Sequence, residues 1–454
     1  MGTSRTTAEW KQLDANYHLH PFTDFNDYQN NHGRIIERAE HIYIYDTDGK
    51  QMLDAMSGLW CCSLGYSQPE IAEAVQAQFQ KLPYYNNFFQ CSNTPAVELA
   101  EKLVQMTPKQ FTHVFFTNSG SEANDTNIRL IRRYWDTKKQ PKKRIILART
   151  NAYHGSTIAS ASLGGFEFVH NQFETLPYVQ HITDPNWYHN GADLSPDEFG
   201  LHAARELEKK IDQLGEENIA AFIAEPIQGA GGVIVPPDSY WPEVRRILNE
   251  RDILFVSDEV ICGFGRTGNM FGCETYGMEP DLLTFAKAVT NGFQPLGGVM
   301  VSDKVADVIT SDGGEFGHGF TYSGHPITCA AALATLNIME RDKFVDHVAN
   351  DIGPYLQQKW NGLADHPIVG HVRGVGMLGS IELVRSKESR ERLEADQKSG
   401  GICREFCVAN GLIMRAVGDS MIISPPFVSS HEEIDLLIAR AKKSLDQTAE
   451  YYSV

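Results

Sequence analysis

Ile253-Leu254-Phe255-Val256-Ser257-Asp258-Glu259-Val260 opens as a short apolar run and ends in two acids. A run this short, apolar at consecutive positions, suits a strand covered on both faces of a parallel sheet. Val114-Phe115-Phe116, Arg144-Ile145-Ile146-Leu147-Ala148 and Ile219-Ala220-Ala221-Phe222-Ile223 show the same pattern upstream. Longer helical patterns lie between them, such as Ala203, Leu207, Lys210, Ile211 and Leu214. This β-α repetition predicts an α/β doubly wound sheet.

Both ends of the chain read differently from the centre. After a polar, helix-forming start, residues 34–38 and 41–45 alternate apolar with polar, and Asp46-Thr47-Asp48-Gly49 turns the chain. From about Gln68 a helical period takes over, with Ile71, Ala74, Val75 and Phe79, then Val97, Leu99, Leu103 and Val104. Beyond about residue 330 come a long helix, Gly-bearing strands near 372–374 and 378–383, and a last helix through Ile434, Leu437, Ile438 and Ala441. The expected organisation is a large domain over 67–330 and a smaller α+β domain assembled from 1–66 and 331–454.

The 454 residues are 42% hydrophobic and 22% charged, the balance of an ordinary globular enzyme. A net charge of −18, from 40 basic and 58 acidic residues, argues against nucleic acid or an anionic membrane as partner. No apolar stretch approaches the roughly 20 residues of a membrane span. The eight cysteines include no Cys-x-x-Cys pair, which points to reduced thiols and a cytoplasmic setting. The 16 histidines lack zinc-site spacing, so no metal is expected, and His18 and His20 read as a polar strand edge. Met1-Gly2-Thr3-Ser4-Arg5-Thr6 formally fits a myristoylation pattern, a match short enough to arise by chance. The stretch to Leu13 lacks the hydrophobic core of a signal peptide.

The chemistry centres on Thr284-Phe285-Ala286-Lys287-Ala288-Val289-Thr290-Asn291-Gly292, where a lysine opens a Gly-bearing turn downstream of Asp258. Alone, such a lysine is a solvated surface charge. Paired with an acid at a strand end, it meets the needs of pyridoxal-phosphate chemistry. The amine forms a Schiff base with the cofactor aldehyde, and the carboxylate keeps the pyridine nitrogen protonated. Asn118-Ser119-Gly120-Ser121-Glu122-Ala123-Asn124 follows a strand and opens a helix, which suits an anion at the helix N-terminus. Plain N-capping would need only one Ser or Asn. Asn151-Ala152-Tyr153-His154-Gly155 follows another strand, placing an aromatic where ligands bind in open α/β sheets. Two Gly-x-Gly-x-x-Gly matches, at 263–268 and 374–379, lead into no good helix and are not dinucleotide fingerprints.

In this order, these segments resemble the class III aminotransferases of the fold-type-I pyridoxal-phosphate enzymes, together with Ala224-Glu225-Pro226-Ile227-Gln228-Gly229. Ser57-Gly58-Leu59-Trp60, Leu82-Pro83-Tyr84-Tyr85-Asn86, Phe88-Phe89, His318-Gly319-Phe320-Thr321-Tyr322-Ser323-Gly324-His325-Pro326 and Gly411-Leu412-Ile413-Met414-Arg415 are similar to amine:pyruvate (ω-) transaminases, nearest the putrescine or polyamine:pyruvate subgroup. The resemblance implies Lys287 as Schiff-base lysine and proton carrier, with Asp258 on the pyridinium. It implies Tyr153 and Val260 on either side of the ring, Gly120 and Ser121 on the phosphate, and His154 and Glu225 beside the cofactor. Thr321 is expected to reach the other subunit's cofactor phosphate. That implies a homodimer with active sites at the interface, or a tetramer. Trp60, Phe22, Phe88, Phe89, Tyr153 and Arg415 are the implied substrate residues, with Arg415 on a mobile loop.

Relatives acting on α-amino acids or ornithine carry an arginine where this chain has Ile422, and those acting on γ-aminobutyrate often carry glutamine at Ile261. Both departures point to a donor whose reacting end lacks a carboxylate, with pyruvate as acceptor. An α-amino-acid or ornithine-type transaminase, an aminomutase and a pyridoxal-binding regulator are the alternatives. The last would need a DNA-binding helix-turn-helix, which neither the acidic balance nor the short start supports.

Overall fold

A computed structural model describes residues 5–31, 33–396 and 398–454. The formal myristoylation match begins in residues 1–4, outside the described residues. Near the start, β1 (Ile36–Glu40), β2 (Tyr43–Asp46) and β3 (Gln51–Asp54) form an antiparallel meander. The central sheet then takes seven strands: β4 (Phe111–Thr117), β5 (Ile145–Arg149), β6 (Val179–Ile182), β7 (Ile219–Ala224), β8 (Leu254–Asp258), β9 (Leu282–Phe285) and β10 (Gly297–Ser302). Their order is β4-β10-β9-β8-β7-β5-β6. All neighbours pair in parallel except β10, which runs against both β9 and β4.

Side chains alternate across this sheet into two separate cores. Leu147, Phe222, Phe255 and Leu283 enter one, while Ile146, Ala221, Ile223 and Val256 enter the other. That double coverage is why β5, β7 and β8 are apolar at consecutive positions. β4 departs from the expectation. It sits at the sheet edge, with Thr112 and His113 exposed and Val114, Phe115 and Phe116 only half-buried.

Helix Gly120–Thr137 packs on one face, against β9 and β10. On the other, helix Pro196–Leu214 packs along helix Tyr240–Asn249. Helix Pro326–Arg341 lies against helices Pro69–Lys81 and Thr94–Met106. In these last two helices Ile71, Leu99 and Leu103 are buried, but Phe79 and Val97 face solvent despite fitting the helical period.

Toward the end, β11 (Val369–Val375) and β12 (Leu378–Leu383) form a hairpin. β13 (Leu412–Ile413) crosses to pair in parallel with β3, so the two chain ends share a sheet. β14 (Arg415–Val417) and β15 (Ser420–Ile423) complete the third sheet, in the order β11-β12-β15-β14. Helix His431–Tyr451 closes the chain behind a capping box formed by Ser430 and Glu433. Both glycine decoys resolve as expected. Residues 263–268 are turns after β8, and 374–379 span the β11–β12 hairpin.

His18 and His20 are not on a strand. They follow helix Thr7–Tyr17, and their rings bond the Asp14 carboxylate, His18 Nδ1 at 3.1 Å and His20 Nε2 at 2.9 Å.

Candidate active site

The carboxyl ends of β4, β5, β7, β8 and β9 all face one side of the sheet, where ligands collect in open α/β folds. There they surround a cleft of about 430 Å³, bordered by Gly120, Ser121, Tyr153, Asp258, Val260 and Lys287. Segments far apart in sequence thus converge because each follows a strand of the same sheet.

Asp258 is the last residue of β8 and is buried. Its Oδ2 accepts from Asn124 Nδ2 at 2.8 Å and from His154 Nδ1 at 2.7 Å, and its Oδ1 from the Val260 N–H at 3.1 Å. An ionised carboxylate only accepts, so His154 carries its hydrogen on Nδ1. Asn124 is braced in turn. Its Nδ2 also reaches the His154 carbonyl at 2.7 Å, and its Oδ1 accepts from Thr284 Oγ1 and Asn127 Nδ2 at 2.8 and 3.0 Å. Motif reading gave Asn124 no role of its own. The available signal was two asparagines, Asn124 and Asn127, one turn apart on a helix face that is otherwise apolar.

Lys287 opens a 3-10 turn after β9 with φ at 51°, a left-handed conformation that costs a non-glycine residue about 1–3 kcal/mol. Buried Asn291 holds the turn, accepting from the Leu64 N–H and donating to the Gly65 carbonyl, both at 2.8 Å. Burial lowers the Lys287 pKa from its ordinary value. Cys61, Asp258 and Glu225 oppose that shift, and Arg415 adds to it.

At the other end of the cleft, Ser119 caps helix Gly120–Thr137 by accepting from the Glu122 N–H at 3.2 Å. The bland capping role therefore belongs to Ser119. Among the described residues, the backbone N–H groups of Gly120 and Ser121 take no protein partner. A Cβ on Gly120 would stand 3.0 Å from Val260 Cγ2. Gly155, at φ 138°, lets the Tyr153 loop approach so closely that a Cβ there would lie 2.8 Å from Ser121 Cα.

Tyr153 borders the cleft. Its N–H donates to Glu225 Oε1 at 3.1 Å, and its hydroxyl shares a 2.9 Å hydrogen bond with Ser156. Glu225 does not itself border the cleft. Its other oxygen accepts from the Gly229 N–H at 2.9 Å, so it braces the Tyr153 loop, and burial raises its pKa. His154 Nε2 is buried without a partner.

Trp60 is fully buried, with Lys287 Nζ 4.9 Å and Arg415 Cζ 5.1 Å from its ring centroid. Burial lowers the Arg415 pKa, opposed by Tyr153, and no carboxylate pairs with Arg415 among the described residues. Arg415 is not on a loop. It opens β14 opposite Ile422, in a hairpin closed by Gly418 and Asp419. Ile261 and Ile422, the two departures noted in the sequence, pack with Trp60 and Met56 in one apolar cluster.

Phe22 is exposed at the mouth, its ring edge-on to Tyr153 at 6.3 Å. Phe88, Phe89 and Thr321 do not border the cleft of their own chain. Phe89 is 90% exposed. Phe88 lines a separate hollow with Phe115 and Gly319, and the Thr321 carbonyl accepts from Tyr84 at 2.8 Å.

Uncommitted N–H groups at a helix start, an aromatic face, a buried carboxylate and a desolvated amine on one cleft fit pyridoxal 5'-phosphate. Each would meet a different part of that molecule: phosphate, ring, ring nitrogen and aldehyde.

Comparison with known proteins agrees. Residues 25–445 match the family model described as aminotransferase class-III. A putrescine–pyruvate aminotransferase of Pseudomonas aeruginosa is 54% identical over 448 residues, 98% of each chain. A chloroplastic gamma aminobutyrate transaminase 3 of Solanum lycopersicum is 44% identical over 91% of this chain and 81% of its own. The crystal structure of an omega transaminase from Pseudomonas jessenii in complex with PMP superposes with a TM-score of 0.95 at 40% identity, covering 98% of this chain and 99% of that one. Sequence, fold and cleft together make this chain a member of the class-III aminotransferases.

Proposed function

We propose that this chain is a pyridoxal-phosphate-dependent ω-transaminase. It passes the amino group of a primary amine, a diamine such as putrescine, or an ω-amino acid to pyruvate, giving an aldehyde or ketone and alanine. The observation that carries this reading is Arg415, a guanidinium without a carboxylate partner among the described residues, lying 5.1 Å from the Trp60 ring, which packs with Ile261 and Ile422. A donor whose reacting end lacks a carboxylate fits this apolar setting, and a carboxylate-bearing acceptor fits the arginine.

Bound pyridoxal phosphate supplies an aldehyde for the amine and a protonated ring that absorbs the electrons of the deprotonated carbon. Asp258 holds the charge at the ring nitrogen, kept in aim by Asn124, His154 and the Val260 N–H. Tyr153 and Val260 would flank the ring, Gly120 and Ser121 would hold the phosphate, and Glu225 steadies Tyr153. Lys287 Nζ would take the proton from the amine-bearing carbon and return it two atoms away, to the carbon that was the cofactor's aldehyde. The burial that lowers its pKa favours the free base this needs. Arg415 grips the pyruvate carboxylate with two parallel N–H donors. When the donor has no carboxylate, the guanidinium turns away, avoiding the cost of an unpaired buried charge.

The enzyme works in the cytoplasm as a homodimer. Phe79, Phe89, Val97 and Tyr322 form an exposed apolar set suited to such an interface. Across it, the partner subunit's Thr321 reaches the phosphate, and Phe88 and Phe89 complete the neighbouring substrate pocket, with Phe22 over the mouth. Dilution to monomers should then release cofactor and activity together, because a ligand held at an interface stabilises the assembly. A monomer keeping full activity would overturn the shared site.

Mixing the holoenzyme with pyruvate and, in turn, putrescine, an ω-amino acid, an aryl-alkyl amine and ornithine tests the substrate class. Alanine should form with the first three. Turnover confined to ornithine's α-amino group would contradict the reading.

A further inference from the structure

The turn that presents Trp60 is strained and held by one carboxylate. Ser57, Gly58 and Trp60 have φ angles of 49°, 67° and 60°, so two residues with side chains sit in the left-handed region beside a glycine. Such a conformation persists only where its surroundings over-determine it. Here the surroundings are Asp54, the last residue of β3 and 1% exposed. Its Oδ1 accepts from the Met56 N–H at 2.9 Å. Its Oδ2 accepts from the Gly58 N–H at 2.5 Å and the Tyr66 hydroxyl at 2.6 Å. A second tie comes from Ser57 Oγ, which donates to the Ser424 carbonyl at 2.7 Å.

Asp54 does not border the cleft. Two of its three acceptor contacts go to backbone N–H groups of the turn, and the third goes to the Tyr66 hydroxyl. The turn in turn fixes the one ring against which both the Lys287 ammonium and the Arg415 guanidinium lie. Trp60 Nε1 has no hydrogen-bond partner among the described residues. The ring is seated by the apolar cluster around it, with Met56, Ile261 and Ile422, and the backbone turn sets the angle at which it enters that cluster.

We propose that Asp54, with Tyr66, is a positioning residue for substrate recognition: by pinning the left-handed turn it sets the plane of Trp60 and hence the seats of amine and pyruvate. This rests on the ω-transaminase reading above. The carboxylate is essential because it only accepts. An asparagine would turn an amide N–H toward at least one of the three donors.

The test uses the holoenzyme and five variants: Asp54→Asn, Tyr66→Phe, Trp60→Ala and the Asp54→Asn/Trp60→Ala and Tyr66→Phe/Trp60→Ala pairs. Cofactor content, kcat and KM are measured for an aryl-alkyl amine and for pyruvate. Asp54→Asn should keep its cofactor and raise both KM values about tenfold, the effect of one lost buried hydrogen bond, with kcat within about threefold of the parent. In the Trp60→Ala background the same change should alter KM by less than about twofold, since the positioned ring is gone. Unchanged KM values, or an equal rise in both backgrounds, would overturn the proposal. If Asp54→Asn does not fold, Tyr66→Phe decides. It keeps the carboxylate, and KM should rise about threefold with Trp60 present and not without it. A parent enzyme that transfers no amino group to pyruvate would instead refute the transaminase reading, so the two failures are distinct.

Discussion

Replacing Asp258 by asparagine keeps the shape of the side chain and removes one acceptor. Asp258 now satisfies three donors, two on Oδ2 from Asn124 and His154 and one on Oδ1 from Val260. The better orientation of an asparagine keeps its carbonyl on Asn124 and His154 and turns its amide toward the Val260 N–H. One buried donor then faces another, which costs stability on the order of 1–3 kcal/mol. The larger effect falls on the reaction. An uncharged amide cannot hold the proton on the ring nitrogen, and a charge-assisted hydrogen bond is worth about 1.5–3 kcal/mol. If all of that is felt in the transition state, rates fall about 10- to 150-fold. Stopped-flow absorbance of the two half-reactions, amine first and pyruvate second, reads the effect, and a thermal melt reads the stability. Both half-reactions should slow alike, because the same ring nitrogen serves both. A folded variant with unchanged half-reaction rates, or with only one slowed, would refute the reasoning.

Arg415→Ala should weaken pyruvate and ω-amino acids about 10- to 150-fold through loss of a charge-assisted contact, and simple aryl-alkyl amines far less. Equal losses in separately measured half-reactions would make Arg415 structural. Glu382, in β12, offers a pH test of stability. It is buried and accepts from His189 Nε2 at 2.8 Å, Arg373 Nη1 at 3.1 Å and Ser420 Oγ at 2.7 Å. Burial works to raise its pKa, but His189, Arg373 and Ser420 outweigh it and bring it to about 2. A carboxyl depressed on folding stabilises fully above its unfolded value and loses that contribution as pH falls. From the ordinary glutamate value near 4.5 down to about 2, roughly 3 kcal/mol should disappear. Denaturant titrations across that window should show a steep loss in the parent and a flatter one in Glu382→Gln; matching slopes would count against the assignment.

The strands that build the sheet were legible because coverage on both faces leaves apolar side chains at every position, as in β7 and β8. The lysine, the acid and the helix start proposed for the phosphate were legible as candidates because each stands where a strand ends. β10 was not. It carries Gly297 where a side chain would meet the Ser119 backbone and Gly298 where it would meet Phe285, and so lacks the usual strand signal. The hairpin carrying Arg415 also read as a loop, because a two-residue Gly418-Asp419 turn between three- and four-residue strands looks like irregular chain. Phe79 and Val97 fit a helical period yet face outward, since periodicity marks an apolar face without saying what covers it. The Asn124 brace on Asp258 joins residues far apart in sequence, a contact that no local pattern announces. The Asp54 clamp under Trp60 is local, but an acid at the end of a short strand does not reveal which N–H groups it will accept from.

The central claim is that Lys287 carries the cofactor. Borohydride reduction of the holoenzyme, followed by peptide mapping, tests it most directly. The account predicts one modified peptide, containing Lys287, and none from Lys287→Ala, which should bind the cofactor reversibly and lose nearly all turnover. A reduced link on another lysine, or one that survives in Lys287→Ala, would contradict it.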